Sequence, residues 1–326
     1  MTLSYKRRAL GALGLFCLSV AATSSSLAAY PERPIRLLVG YPTGGGADFT
    51  ARLIGAELSK ALGKQVVVDN RPGAEGSMAA NTVARAAPDG YTLLLIPFNL
   101  ALSPSLNKHL PYDPLKDFDA VTLIASAPMA LAVNPSLPVK TVPDLVNLAK
   151  TRPGGLSYGS SGTGGTSHVA AELFKSMAKV NLVHVPYRGA GPVLLATITG
   201  EVNLCFGSLP PILTHMNAGT LRVVAVTTGK RAKVAPDIPT IGESGLPGYE
   251  FATWYGLGAP ANTPRPIRLM LQGEIAKILA MNQIQTRLLG DGAEPIGSSP
   301  DDFQRYLVAE INKWKTVVKN AGITPE

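Results

Sequence analysis

One unit occurs twice in this chain and limits what it can fold into: a short apolar run, a glycine-rich turn, then a helix-forming segment. The first copy is "VGYPTGGGADFTARL" (39–53) and the second is "LSYGSSGTGGTSHVAAELF" (156–174). Short runs rich in β-branched residues and leucine read as strands buried in a parallel sheet. Such runs recur at 35–41, 65–70, 92–97, 120–125, 130–134, 156–160, 183–187, 203–208 and 221–226. Helical spacing lies between them, as in Phe49, Leu53, Leu58 and Leu62, or Val169, Leu173, Phe174 and Met177. Two longer helices close the chain. The last is carried by Phe303, Leu307, Ile311, Trp314 and Val318, and Ser299-Pro300-Asp301 opens it. Strands alternating with helices in this way define an α/β fold with mostly parallel sheets.

That many strands is more than one sheet commonly holds, so two α/β lobes are more economical. No low-complexity linker separates them. The candidate crossings are themselves strand-like: 121–134, and the region from 221–228 to 253–260. Two crossings mean that one lobe is inserted into the other. The expected division is 29–127 with 227–326 as the first lobe and 128–226 as the second.

Residues 1–28 have the layout of a secretory signal peptide. Lys6, Arg7 and Arg8 precede an apolar run over 9–22, and small residues follow up to Ala28. The apolar run is shorter than the roughly 20 residues a membrane span needs. Phe16 before Cys17 does not fit a lipid-anchor signal. Cleavage would lower the formal charge from +8 to +5 and leave Cys205 as the sole cysteine, which excludes an intramolecular disulfide. A hydrophobic content of 46% against 16% charged residues argues for a packed globular protein rather than disorder. Basic residues are scattered without aromatic interleaving, so no nucleic-acid partner is expected. His109, His168, His184 and His215 lack paired spacing, and one cysteine makes no metal site.

The glycine loops are the strongest chemical signal. A P-loop needs a lysine after the last glycine, and "TGGGADF" has none. A dinucleotide fingerprint needs a third glycine where Phe49 stands. What remains is a strand end, close backbone approach, and the unpaired N–H groups of a helix start, which favour anions. In the second loop Ser160, Ser161, Thr163, Thr166 and Ser167 add hydroxyls. Two such loops in different lobes would clamp a small molecule carrying one or two carboxylates; phosphate esters or phosphonates suit the same geometry. A secreted serine hydrolase using Ser161 and His168 is the rival reading, although Thr163 breaks the nucleophile-elbow pattern. Tyr41, Phe98, Tyr187 and the pair Trp254-Tyr255 lie near strand ends, where rings either line a cleft or pack in the core. Arg188 either meets an anion or makes a surface ion pair.

These landmarks, in this order, resemble the Bug-type periplasmic solute-binding receptors of the tripartite tricarboxylate transporter system. The resemblance covers essentially the whole chain after the leader. It adds "VVDNRPGAEGSMAANTVARAAPDGYTLLL" (67–95), "HVPYRGAGPVLLATITGEVNLCFGS" (184–208) and "PTIGESGLPGYEFATWYGLGAPANTP" (239–264) to the two loops. It implies a two-lobed type II periplasmic-binding-protein fold with a hinge. It implies capture of a small organic carboxylate without catalysis or cofactor. The implied partners are membrane subunits of a secondary transporter, or a sensor protein, with the receptor a monomer. By resemblance the first lobe binds through Thr43, Gly44, Gly45 and Asp48, and the second through Ser160, Ser161, Thr163, Thr166, His168, Tyr187 and Arg188. Tyr41, Phe98 and Trp254 complete the expected lining. Two positions depart from the family pattern. Thr43 replaces the usual proline, and Asn203 stands where an acidic residue is common; contact between that position and a ligand ammonium would be weakened.

Overall fold

The computed structural model describes residues 30–320, apart from 153, together with 322. The expected signal peptide lies outside the described residues. In chain order the first sheet opens with three parallel strands, β1 (Ile35–Val39), β2 (Val66–Asn70) and β3 (Thr92–Pro97). They alternate with helices α1 (Gly46–Leu62), α2 (Ser77–Ala84) and α3 (Asn99–Leu106). The long strand β4 (Phe118–Val133) then leads to α4 (Val142–Thr151). A second parallel set follows: β5 (Ser157–Ser160), β6 (Val183–Pro186) and β7 (Leu204–Ser208), with α5 (Thr166–Ala178), α6 (Ala190–Thr199) and α7 (Leu209–Asn217). The chain returns through β8 (Arg222–Val226) and β9 (Ala252–Pro260). It ends with α8 (Arg265–Leu279), α9 (Asn282–Gly290), the short β10 (Glu294–Pro295) and α10 (Pro300–Asn320).

β4 joins the two sheets. The apolar runs at 120–125 and 130–134 are one continuous strand of 16 residues. From Phe118 to Pro128 it pairs antiparallel with β9; from Met129 to Val133 it pairs with β7 and, on its other edge from Ala130, with β8. Pro128, opposite Ala252, is the last residue of the β9 ladder before the changeover. The strand order is β2-β1-β3-β9-β4-β7-β5-β6. The expectation of mostly parallel sheets is therefore corrected. Each lobe has three parallel strands, but β4, β8, β9 and β10 pair antiparallel. A strand that carries the chain from one sheet to the other and the strand that brings it back must run in opposite senses.

The core is continuous under this junction. α10 packs on α3, on β4 and also on α5, so it touches helices of both sheets. Its apolar face meets a cluster of edge-to-face rings. Phe98 lies 5.2 Å from both Phe251 and Trp314, and Trp254 lies 5.8 Å from Phe303. The indole N–H groups of Trp254 and Trp314 both donate to Glu310 Oε2, at 3.2 and 3.0 Å. This overturns the expected cleft positions of Phe98 and Trp254. Their exposures are 2% and 0%, and their rings belong to the core. Neighbouring strand residues point to opposite faces: Trp254 faces α10, whereas Tyr255 faces the start of α1. Removing an indole from such a core leaves a cavity. Trp254→Ala is expected to cost about 3–5 kcal/mol in urea unfolding, with the loss appearing in global stability whether or not any ligand is present.

Candidate functional site

Both glycine loops lie at the carboxyl ends of parallel strands, where open α/β sheets bind ligands. The first leaves β1 through Gly40, which packs directly on the loop after β2: a Cβ there would lie 2.5 Å from Gly76 Cα. Thr43, Gly44 and Gly45 are exposed, and Gly44 adopts φ +92°. Asp48 shapes the turn from inside. Its carboxylate accepts the Gly44 N–H at 3.0 Å, the Arg52 Nε at 2.9 Å and the Asn70 amide at 2.9 Å. Arg52 donates onward to Asn70 Oδ1, and Asn70 donates to the Tyr41 carbonyl. Burial pushes the Asp48 carboxyl up, but the bonds from Arg52, Gly44 and Asn70 outweigh it and hold its pKa below the ordinary value. Asp48 was expected to touch the ligand; its side chain is turned back onto its own loop and is only 4% exposed.

α4 has a reciprocal capping box between Thr141 and Asp144. α1 starts at Gly45 and α5 at Gly165, and neither has a side-chain cap. Their first N–H groups are left to solvent or a ligand. Helices α2, α3 and α6 to α9 also start without a side-chain cap, α6 at a glycine as well, so a capped start is the exception among the described helices.

The second loop is also held from below. Ser160 is fully buried, and its hydroxyl lies 2.6 Å from His184 Nε2. Ser167 Oγ accepts the Ser161 N–H at 2.8 Å and lies 3.0 Å from Ser161 Oγ. His168 Nδ1 accepts the Gly164 N–H at 3.0 Å, and its ring stacks on His184 at 4.1 Å. Beneath them Glu172 accepts from Tyr158 and Lys175, each at 2.6 Å. Ser160 and His168 are thus corrected from expected ligand contacts to buried supports of the loop. Ser161 and His168 do not pair with one another. Ser161 is half-buried, Thr163 exposed and Thr166 half-buried at the loop surface.

Tyr187 packs on its own lobe, with its ring against Gly159 and its hydroxyl donating to Glu201 at 2.8 Å. Arg188 next to it is exposed, and no ion pair engages it among the described residues. Tyr41 is half-buried and donates to the Glu75 carbonyl at 3.2 Å. Asn203 is bonded to Ser157 at the opposite, amino end of β5, so its side chain is remote from the loops.

Sequence reasoning named Tyr255 only as one of the rings near strand ends, and it missed Glu75 and Asp291. The Tyr255 hydroxyl lies against Gly46, where a Cβ would come within 2.6 Å of it and 3.6 Å of Asp291 Oδ2. Burial, aided by the Asp291 charge, pushes that phenol up to about 12. Glu75 is exposed with φ +53°, inside a left-handed run over 73–76, and it accepts the Asn99 amide at 3.0 Å. For Tyr255, strand alternation was the available signal; Glu75 and Asp291 carried none.

Two α/β lobes sharing crossing strands, each with an uncapped helix start in a glycine loop, define the two-lobed architecture of solute-binding proteins. A family model described as the tripartite tricarboxylate transporter family receptor matches residues 50–323. The chain belongs to that family. It is 32% identical to Protein BugT of Bordetella pertussis, with 97% of this chain and 98% of that protein aligned. Among solved structures, Rpa4515 of R. palustris with adipate is 42% identical, with a TM-score of 0.76, covering 91% of this chain and all of that one. MatC (Rpa3494) from Rhodopseudomonas palustris with bound malate is 32% identical, with a TM-score of 0.71, covering 89% and 100%.

The buried histidine gives a pH test. Burial first, and then the neighbouring His184, lowers His168 from 6.5 to about 4. Between those values the unfolded chain binds a proton that the folded chain does not, so stability falls as pH drops through the window and is level above it. His168→Asn keeps an acceptor without a titrating ring. It is expected to flatten denaturation free energy against pH there, by at most about 1.4 kcal/mol per pH unit.

Proposed function

We propose that this chain is a periplasmic receptor that captures a small organic acid, a mono- or dicarboxylate, between its lobes. The acid is then handed to membrane subunits of a tripartite tricarboxylate-type transporter, or presented to a sensor. One observation carries the reading: α1 and α5 both start at a bare glycine beneath an exposed loop, in different lobes. An anion at such a start typically gains about 0.3–1 kcal/mol from each helix dipole, and more where water is excluded. The binding of adipate and malate by the two similar proteins supports a carboxylate. Arg188 supplies a free positive side chain beside the start of α6. An acid held by one loop gains the second set of contacts only when the lobes approach, so it shifts the population toward the closed form by its differential affinity.

The hydrolase alternative finds no support in the loop. Ser161 bonds Ser167, and His168 spends its acceptor on Gly164. The Ser160–His184 pair is close, but its serine is fully buried. Residence in the periplasm is supported by the leader-like sequence of residues 1–28 and by the family. No helix among the described residues is long and apolar enough to cross a membrane.

Thermal shift with adipate, malate, an aromatic acid and an alkylphosphonate tests the class. A carboxylate at about 100 times its dissociation constant should add roughly 2.7 kcal/mol of stability. No stabilisation by any carboxylate, or ester turnover lost in Ser161→Ala, would refute the receptor reading. Arg188→Ala should weaken carboxylate binding by about tenfold, equivalent to 1.4 kcal/mol, with unfolding of the free protein unchanged.

A further inference from the structure

The segments around the two loops meet across the sheets at glycines. Gly292 follows α9 and precedes β10, which pairs with the first half of β4. Its neighbour Asp291 borders Gly46 at the start of α1. Against Gly292 lies Pro210, in the first turn of α7, which continues from β7 in the second sheet. The fit leaves no space for a side chain: a Cβ on Gly292 would lie 2.6 Å from Pro210 Cδ and closer still to Cγ. A second contact joins the lobes elsewhere. Gly164, in the loop before α5, faces Leu106 at the end of α3, and a Cβ there would lie 3.4 Å from Leu106 Cδ1.

We propose that these glycine contacts are the closure stops of the receptor, and that Gly292 against Pro210 sets the length of acid the cleft accepts. The inference rests on the receptor reading above. Both partners at the main stop are stiff. Pro210 is a ring fixed to the first turn of a helix, and Gly292 is backbone, so neither yields by changing rotamer. Close-packed contacts transmit displacement rather than absorbing it. The stop lies next to Asp291 and Gly46, so the gap it sets is felt directly at the first helix start. A methyl at 292 needs ordinary carbon–carbon separation from Pro210, which widens the closed gap by about 1 Å. That is comparable to what one methylene adds to an extended acid. Selection by length would then reside in residues that never touch the ligand.

The test is isothermal calorimetry with straight-chain dicarboxylates from malonate to adipate, on the wild-type chain, Gly292→Ala, Pro210→Ala and the double variant. Gly292→Ala should move preference toward longer acids, changing the affinity ratio of adjacent homologues by about tenfold or more. Gly292 has φ +77°, so alanine also strains the backbone there. The double variant separates the two effects. Without Cγ and Cδ, the nearest atom of residue 210 is Cβ, 3.9 Å from the new methyl, while the strain persists. It should restore the wild-type length profile. Pro210→Ala alone should shift preference toward shorter acids, and it decides the matter if Gly292→Ala does not fold. An unchanged profile in Pro210→Ala overturns the proposal. So does a uniform loss across all lengths in Gly292→Ala, or a shift that persists in the double variant. A wild-type chain that binds none of the series overturns this proposal, whereas the receptor reading falls only if the thermal-shift screen finds no carboxylate at all.

Discussion

The architecture depends on one strand serving two sheets. β4 pairs with β9 over its first part and with β7 and β8 over its last, with Pro128 between. Everything that must be placed relative to the cleft hangs from that ladder: β1 and β3 through β9, and β5 and β6 through β7. A polar linker would leave the lobes independently mobile. A shared strand instead ties the two sheets through one continuous backbone ladder. α10 adds a second tie, because its buried face meets α3, β4 and α5. The ring cluster around Phe98, Trp254 and Trp314 fills the space beneath, with Glu310 satisfying two indoles that would otherwise be buried without acceptors.

On this frame the two glycine loops are built by the same rule with different residues. An exposed backbone with unpaired N–H groups cannot hold its own shape, so each loop is tied from the buried side. Asp48 does this in the first, through Gly44, Arg52 and Asn70. Ser167 and His168 do it in the second, through Ser161 and Gly164. The ties use side chains whose charge is neutralised or absent. Asp48 is balanced by Arg52, and His168 is kept neutral by burial. The exposed face therefore presents donors to an anion without a competing negative side chain in the turn itself.

Much of this was legible in order and little in orientation. The strand–loop–helix units, the near-ideal spacing of the α10 face and the absence of nucleotide fingerprints follow from local rules of period and turn chemistry. The side-chain assignments failed where direction mattered. Trp254 and Tyr255 are adjacent, and only the packing of α10 against β9 decides which of them is core. Phe98 sits at a strand end, yet it turns inward because Phe251 and Trp314 complete its surroundings. Asp48, Ser160 and His168 stand in the loop sequences but point beneath them.

By itself the sequence determined the α/β class, the two strand–glycine loop–helix units and the family, because these rest on residue order and on backbone preferences that act over a few positions. The tertiary structure alone decided that β4 is one strand, that half of the polar loop residues are supports, and that Tyr255 and Asp291 converge on the start of α1. The first and last depend on contacts between segments far apart in the chain, and the supports depend on which way a side chain turns from its own loop. Their energies come from burial and packing, which no local pattern encodes.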